Sequence, residues 1–150
     1  MQLKRDVLPA LQKRNAKLLI VGIGSFDSAQ TFAERTGFPA ELMLVDSSEE
    51  SEAYGAVGTR NSQFVDGKQK FEGIGSMWSK ATNAAIDKRG KDDLNAILKL
   101  YKPLQPKKIE QTLVQGGSFV FDGTRTLLEH YDESSGAHIE LETILAAALR

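Results

Sequence analysis

The chain has 150 residues, a net charge of −1, 41% hydrophobic and 26% charged residues, and no cysteine. That is one domain's length with a globular balance, long enough to bury a single core and unlike a disordered or fibrous chain. The near-neutral charge gives no global attraction to nucleic acid or an anionic membrane. The missing cysteines exclude disulfides, thiolate metal sites and every cysteine-based mechanism within these residues.

Charge is unevenly placed. Residues 66 to 109 hold a lysine and arginine excess from Lys68 to Lys108, read as a solvated surface rather than an anion site. No apolar run reaches the roughly 20 residues that span a bilayer. Met1 to Arg14 has neither a signal-peptide core nor the serine-rich, acid-free character of a transit peptide. A soluble compartment such as the cytoplasm is expected.

Leu3, Val7, Leu8 and Leu11 recur at helical spacing, so residues 2–14 read as an amphipathic helix with a kink at Pro9 and a stop at Asn15. Leu18 to Ile23 reads as a strand buried on both faces, as in a parallel sheet. Asp27 or Ser28 suits the cap of the next helix, which runs to Arg35 and ends at Gly37. Glu41 to Val45 reads as a second strand. Asp46 and the serines after it open a helix from Glu49 to Ala56. Strand, helix and strand with short joints predict a right-handed parallel crossover.

From Val57 to about Gln111 the pattern loosens into a predicted insertion, taken as residues 58–111 of a single domain spanning 1–150. Trp78, Ala81, Ala84, Ala85 and Ile86 suggest one helix there. Leu94, Ile97, Leu98 and Tyr101 suggest a second, capped by Asp92, before Pro103 and Pro106. Ser118–Phe121 and Thr124–Tyr131 then form a hairpin around Asp122-Gly123. A polar loop, Asp132 to Gly136, precedes a last helix with Leu141, Ile144, Leu145, Ala148 and Leu149 on one face. The fold class is α/β, a mixed sheet flanked by helices.

Gly22-Ile23-Gly24 with Asp46 about twenty residues on imitates a dinucleotide-binding fingerprint. Asp27 occupies the third glycine position, where a carboxylate repels phosphate, so a capped strand-to-helix turn is the better reading. His130 and His138, with Glu140 near the latter, are the two histidines. They have no cysteine or elbow serine to activate and no third metal ligand in evident reach. Glu49, Glu50, Glu52, Asp92 and Asp93 fall at helix starts, where they complement the dipole. Phe64, Phe71 and Trp78 could stack on bases beside Lys68, Lys70 and Lys80, but packing onto the core is the commoner use of such rings.

Two segments carry a family resemblance. One is Lys17-Leu18-Leu19-Ile20-Val21-Gly22-Ile23-Gly24-Ser25 with Phe32-Ala33-Glu34-Arg35-Thr36-Gly37-Phe38-Pro39. The other is Gln115-Gly116-Gly117-Ser118-Phe119-Val120-Phe121-Asp122, continuing through Leu127, Leu128, Glu129 and His130 to Gly136, Ala137 and His138. Together they resemble the peroxiredoxin-like branch of the AhpC/TSA antioxidant proteins, a thioredoxin-fold family found in plastids among other places. The similarity runs from about Leu3 to the C-terminus and is thin across the insertion.

The resemblance implies thiol-dependent reduction of peroxides or disulfides. The family keeps its cysteine motif at the N-terminus of the helix matching residues 2–14, so no residue here inherits that role. Gly22, Gly24, Gly116 and Gly117 carry over only as backbone features. No catalytic, cofactor-binding or metal-binding residue is assigned, and no cofactor is expected. A protein partner or a thiol reductant is the expected partner, with neither nucleic acid nor membrane; composition does not fix the oligomeric state. The resemblance also implies a thioredoxin-like sheet lacking its first central strand, between Leu18–Ile23 and Ser118–Phe121, and a start inside the family's domain. A non-catalytic thioredoxin-like binding module is the alternative, and a nucleotide-binding domain the weakest reading.

Overall fold

The computed structural model describes residues 2–73, 80–89, 91–100, 106–134 and 136–150. The chain opens with a π-helical turn, Leu3–Val7, that passes into helix α1, Leu8–Lys13. Pro9 explains the change of winding: without an N–H it cannot donate to the turn before it, so the regular ladder starts only beyond it. Asn15 stops the helix at φ 54°, as its tolerance of left-handed backbone predicts.

Strand β1, Ile20–Ile23, pairs in parallel with β2, Met43–Asp46, with Ile20 opposite Met43 and Ile23 opposite Asp46. Between them lie α2, Phe26–Thr36, and a 3₁₀ turn, Ala40–Leu42. The cap of α2 is neither Asp27 nor Ser28 but Ser25, whose extended backbone lets its hydroxyl accept from Ser28 N at 3.2 Å. Gly37 ends the helix as predicted, with φ 63°. Helix α3, Glu52–Val57, follows β2 and starts three residues later than the acidic run suggests.

Burial corrects the reading of Leu18–Ile23 as covered on both faces. Leu19 is 55% exposed, Val21 40% and Leu44, opposite Val21, 50%. The other face, with Ile20, Met43 and Val45, turns toward α2. This short ladder is therefore one-sided, although its run of aliphatic residues reads as two-sided.

Next comes a hairpin that the periodicity does not show, β3 (Phe64–Val65) and β4 (Lys68–Gln69). Its turn is Asp66-Gly67, both at positive φ, the pairing that suits a two-residue hairpin. Helices α4, Lys80–Arg89, and α5, Lys91–Leu100, occupy the predicted helical stretches. Trp78, Tyr101 and Pro103 lie outside the described residues, and the side-chain placement of Asp92, Asp93, Leu94 and Ile97 does too.

A 3₁₀ helix, Ile109–Leu113, leads to β5, Gly117–Asp122, and β6, Arg125–Tyr131, an antiparallel hairpin. Asp122 pairs with Arg125, so the turn is Gly123-Thr124 rather than Asp122-Gly123. A register shift between Val120 and Phe121 places Leu128 opposite the first and Thr126 opposite the second. Helix α6, Leu141–Ala148, closes the chain and packs on β5, β6, α1 and the π turn.

The architecture is α/β and thioredoxin-like, with the parallel pair first and the antiparallel hairpin and helix last. Among the described residues the three strand pairs form separate two-stranded sheets, and no ladder joins β1 to β5. The apolar core consists of Val7, Leu8 and Leu11 from the first helix, Ala147 from α6, and Ala33 and Phe38 around α2. Leu11 is 3% exposed. Leu11→Ala is expected to lower unfolding free energy by about 3 kcal/mol, measured by urea denaturation, because it leaves a cavity under α6.

Candidate functional site

Gly24 N donates to Asp46 O at 3.1 Å, extending the parallel ladder to the tips of both strands. This sets the backbone groups of residues 20, 22 and 24 toward β2 and those of 19, 21 and 23 toward the opposite edge. On that edge the Val21 carbonyl accepts from the Tyr54 hydroxyl at 2.7 Å. Burial, then the carboxylates of Asp46 and Asp132, push the Tyr54 phenol above its ordinary value of 10.0. Tyr54 thus lies within the electrostatic reach of both strand pairs.

The dinucleotide-like feature is built for another purpose. Asp46 is 7% exposed, and its carboxylate accepts from Ser48 N at 3.1 Å, from the Ser48 hydroxyl and from Ala53 N at 2.8 Å. Those bonds hold the entry to α3, which occupies the acid that a ribose would need. The hydroxyls of Ser25 and Ser28 bond each other at 2.9 Å. Beside them a cavity of about 210 Å³ is lined by Ile20, Ile23, Ala29, Phe32, Met43 and Val45. An apolar wall with Asp27 in the first turn of α2 is unsuited to a pyrophosphate.

His130 and His138 meet on one carboxylate that the sequence does not single out. Asp132 follows His130 by two residues, the spacing that shares a strand face, and is 3% exposed. Its backbone N donates to Gly116 O at 3.0 Å. His138 Nδ1 lies 2.5 Å from Asp132 Oδ2. His130 Nε2 lies 3.3 Å from Oδ1 and 3.3 Å from the Ala137 carbonyl, the latter contact being the aligned one. Among the described residues Oδ1 itself has no hydrogen-bond partner. A carbonyl only accepts, so Nε2 carries the proton of His130; facing a carboxylate, Nδ1 carries that of His138.

The nearby Ser134 hydroxyl is buried and bonded to Thr82 Oγ1 at 3.1 Å. Glu140, near His138 in the sequence, pairs with Lys88 at 2.7 Å. Among the described residues no group of three or more histidine or acidic side chains is arranged to hold a metal ion.

The remaining residues noted in the sequence scatter. Glu49 precedes α3 and pairs with Lys108 at 2.9 Å, which holds its carboxyl below the usual range. Glu52 alone of its run sits in the first turn of α3. Phe64 is half-buried, Phe71 is 57% exposed, and Lys70 pairs with Glu72 at 3.4 Å.

Residues 2–134 match the AhpC/TSA antioxidant enzyme family, and the chain belongs to that family. No curated protein and no solved structure matches it. No helix among the described residues is long and apolar enough to cross a membrane.

Two measurements probe this region. In a double-mutant cycle of Asp132→Asn and His138→Ala, urea denaturation should show a coupling of about 1 kcal/mol, since losing the exposed His138 ring takes a partner from the buried Asp132 carboxylate; additivity would show that the contact carries no energy. Tyr54 holds its proton longer when folded, so its contribution to stability is complete below about pH 10 and is lost as pH rises through the folded value. The phenolate absorbance removed by Tyr54→Phe should accordingly titrate with a midpoint above 10.

Proposed function

We propose that this chain is the thioredoxin-like scaffold of a peroxiredoxin-type redox protein, and that the reacting thiolate comes from outside these 150 residues, from a protein partner or a thiol reductant. The observation that carries this reading is a match to an antioxidant enzyme family over residues 2–134 in a stretch with no cysteine. Peroxide reduction needs a sulfur that attacks the O–O bond, keeps one oxygen as a sulfenic acid, releases water or alcohol, and is then reduced by a thiol. Hydroxyl, imidazole and carboxylate groups cannot complete that cycle. Both plastid and cytoplasm contain thiol reductants, so the reading holds in either compartment.

A second reading, a non-catalytic binding module, is favoured by the outer edge of β1. There the backbone groups of residues 19, 21 and 23 face away from β2 beside exposed Leu19, Val21 and Leu44, and of these the Val21 carbonyl is held by the Tyr54 hydroxyl. Such an edge accepts an added strand.

The test is peroxide consumption by the 150-residue chain with hydrogen peroxide or an alkyl hydroperoxide and dithiothreitol. The expected rate equals that of buffer with reductant alone. A rate that rises in proportion to protein concentration would overturn the reading.

A further inference from the structure

We propose that the open face of the β5–β6 hairpin is a docking surface for an extended, arginine-bearing segment of a partner protein. Strand alternation puts Gly117, Phe119 and Phe121 on one side of β5, and the register places Tyr131, Glu129 and Thr126 beside them. Ser118, Val120, Leu128 and His130 point the other way and are all half-buried, while α6 packs on the hairpin. On the first face Phe121 is 59% exposed and Tyr131 40%, Gly117, Thr126 and Glu129 are exposed too, and the Phe119 ring between them is half-buried.

The three rings form a row. Phe119 and Phe121 are nearly parallel, 13° apart with centroids separated by 6.3 Å, and Tyr131 meets Phe119 edge-on at 5.4 Å. Phe119 leans over Gly117, where a Cβ would come within 3.0 Å of its ring. The row therefore depends on a residue without a side chain at position 117.

Charge selects the occupant. Glu129 stands directly across from Phe119 and, among the described residues, has no hydrogen bond or ion pair. At the tip Asp122 is already paired with Arg125 at 3.2 Å. An exposed carboxylate set into a row of aromatic rings repels the phosphates of a nucleic acid and attracts a cation. A guanidinium satisfies both components: its plane stacks on a ring while its N–H groups bond the carboxylate. Arginines two residues apart in an extended peptide are about 6.6 Å apart, which matches the spacing of Phe119 and Phe121. The surface uses no thiol, so it stands or falls independently of the redox reading.

The probe is the peptide acetyl-Gly-Arg-Gly-Arg-Gly-amide, titrated into the 150-residue chain and followed by the aromatic ring signals in NMR spectra. The ring protons of Phe119, Phe121 and Tyr131 should shift together. Affinity should fall roughly threefold in each of Glu129→Gln and Phe121→Ala, and by a similar factor with lysine in place of arginine. Both substitutions are at exposed positions, and an unchanged urea midpoint would confirm that folding is intact. Binding that ignores both substitutions would overturn the proposal. So would tighter binding of oligothymidylate than of the peptide, or self-association through this face, abolished by Phe121→Ala, with no peptide bound.

Discussion

Among the described residues the two halves of this fold are joined by side chains and a single backbone bond instead of a strand ladder. Since β1 and β5 share no hydrogen bonds, the β1–β2 pair and the β5–β6 hairpin meet through a polar seam between residues 47–62 and 107–115. Gln111 Nε2 donates to Ser48 O and to the Ser51 hydroxyl, at 3.0 and 3.2 Å. Asn61 Nδ2 donates to Leu113 O at 3.1 Å, and Gln115 N to Arg60 O at 2.9 Å. Ser51, Asn61, Gln111 and Gln115 are all buried. Within a protein an unmade polar contact costs more than a made one gains, so such a seam fixes register more than it adds stability. Apolar stability comes from elsewhere, chiefly from the contact of α6 with the first helix and the hairpin.

The seam also explains why the acids near the strand ends do structural work. Asp46 closes the turn into α3, and α3 carries Tyr54 to the outer edge of β1. Glu49, from the same loop, reaches across to Lys108. Asp132 folds the end of β6 against Gly116 and gathers two histidines. Asp46 and Glu49 spend their carboxylates on backbone and neighbouring side chains, while Asp132 gives one oxygen to His138 and leaves Oδ1 without a hydrogen bond among the described residues.

Much of this was legible because local rules sufficed. The helices at 26–36, 80–89, 91–100 and 141–148, the stops at Asn15 and Gly37, and the late hairpin follow from apolar spacing and turn residues. The β3–β4 hairpin escaped because two-residue strands have no periodicity to detect, though Asp66-Gly67 marked it. The exposed face of β1 escaped for a different reason: an aliphatic strand reads alike whether one face or two are covered, and coverage is a tertiary fact. Ser25, Asp27 and Ser28 are equally good capping residues by type, and what selects Ser25 is its extended backbone, which composition does not show. At the candidate site His130 and His138 were visible, while Asp132 and Tyr54 were not. Their importance arises from burial and from partners 6 and 33 residues away.

The glycine pair before the hairpin shows how closely the two sides of β5 are linked. A Cβ on Gly116 would sit 3.0 Å from Asp132 Oδ2, and one on Gly117 would sit 2.7 Å from His130 O and 3.0 Å from the Phe119 ring. Gly116 thus leaves room for the buried carboxylate that receives the histidines, and Gly117 for the aromatic row on the open face. Neither glycine has the left-handed backbone that would explain it as a turn residue. The constraint is close approach, and it acts on opposite faces at successive positions. A side chain at either would displace a different set of groups, one on the carboxylate side and one on the ring side. The Gly-Gly step is therefore the point where the buried polar cluster and the exposed aromatic face are built into the same strand.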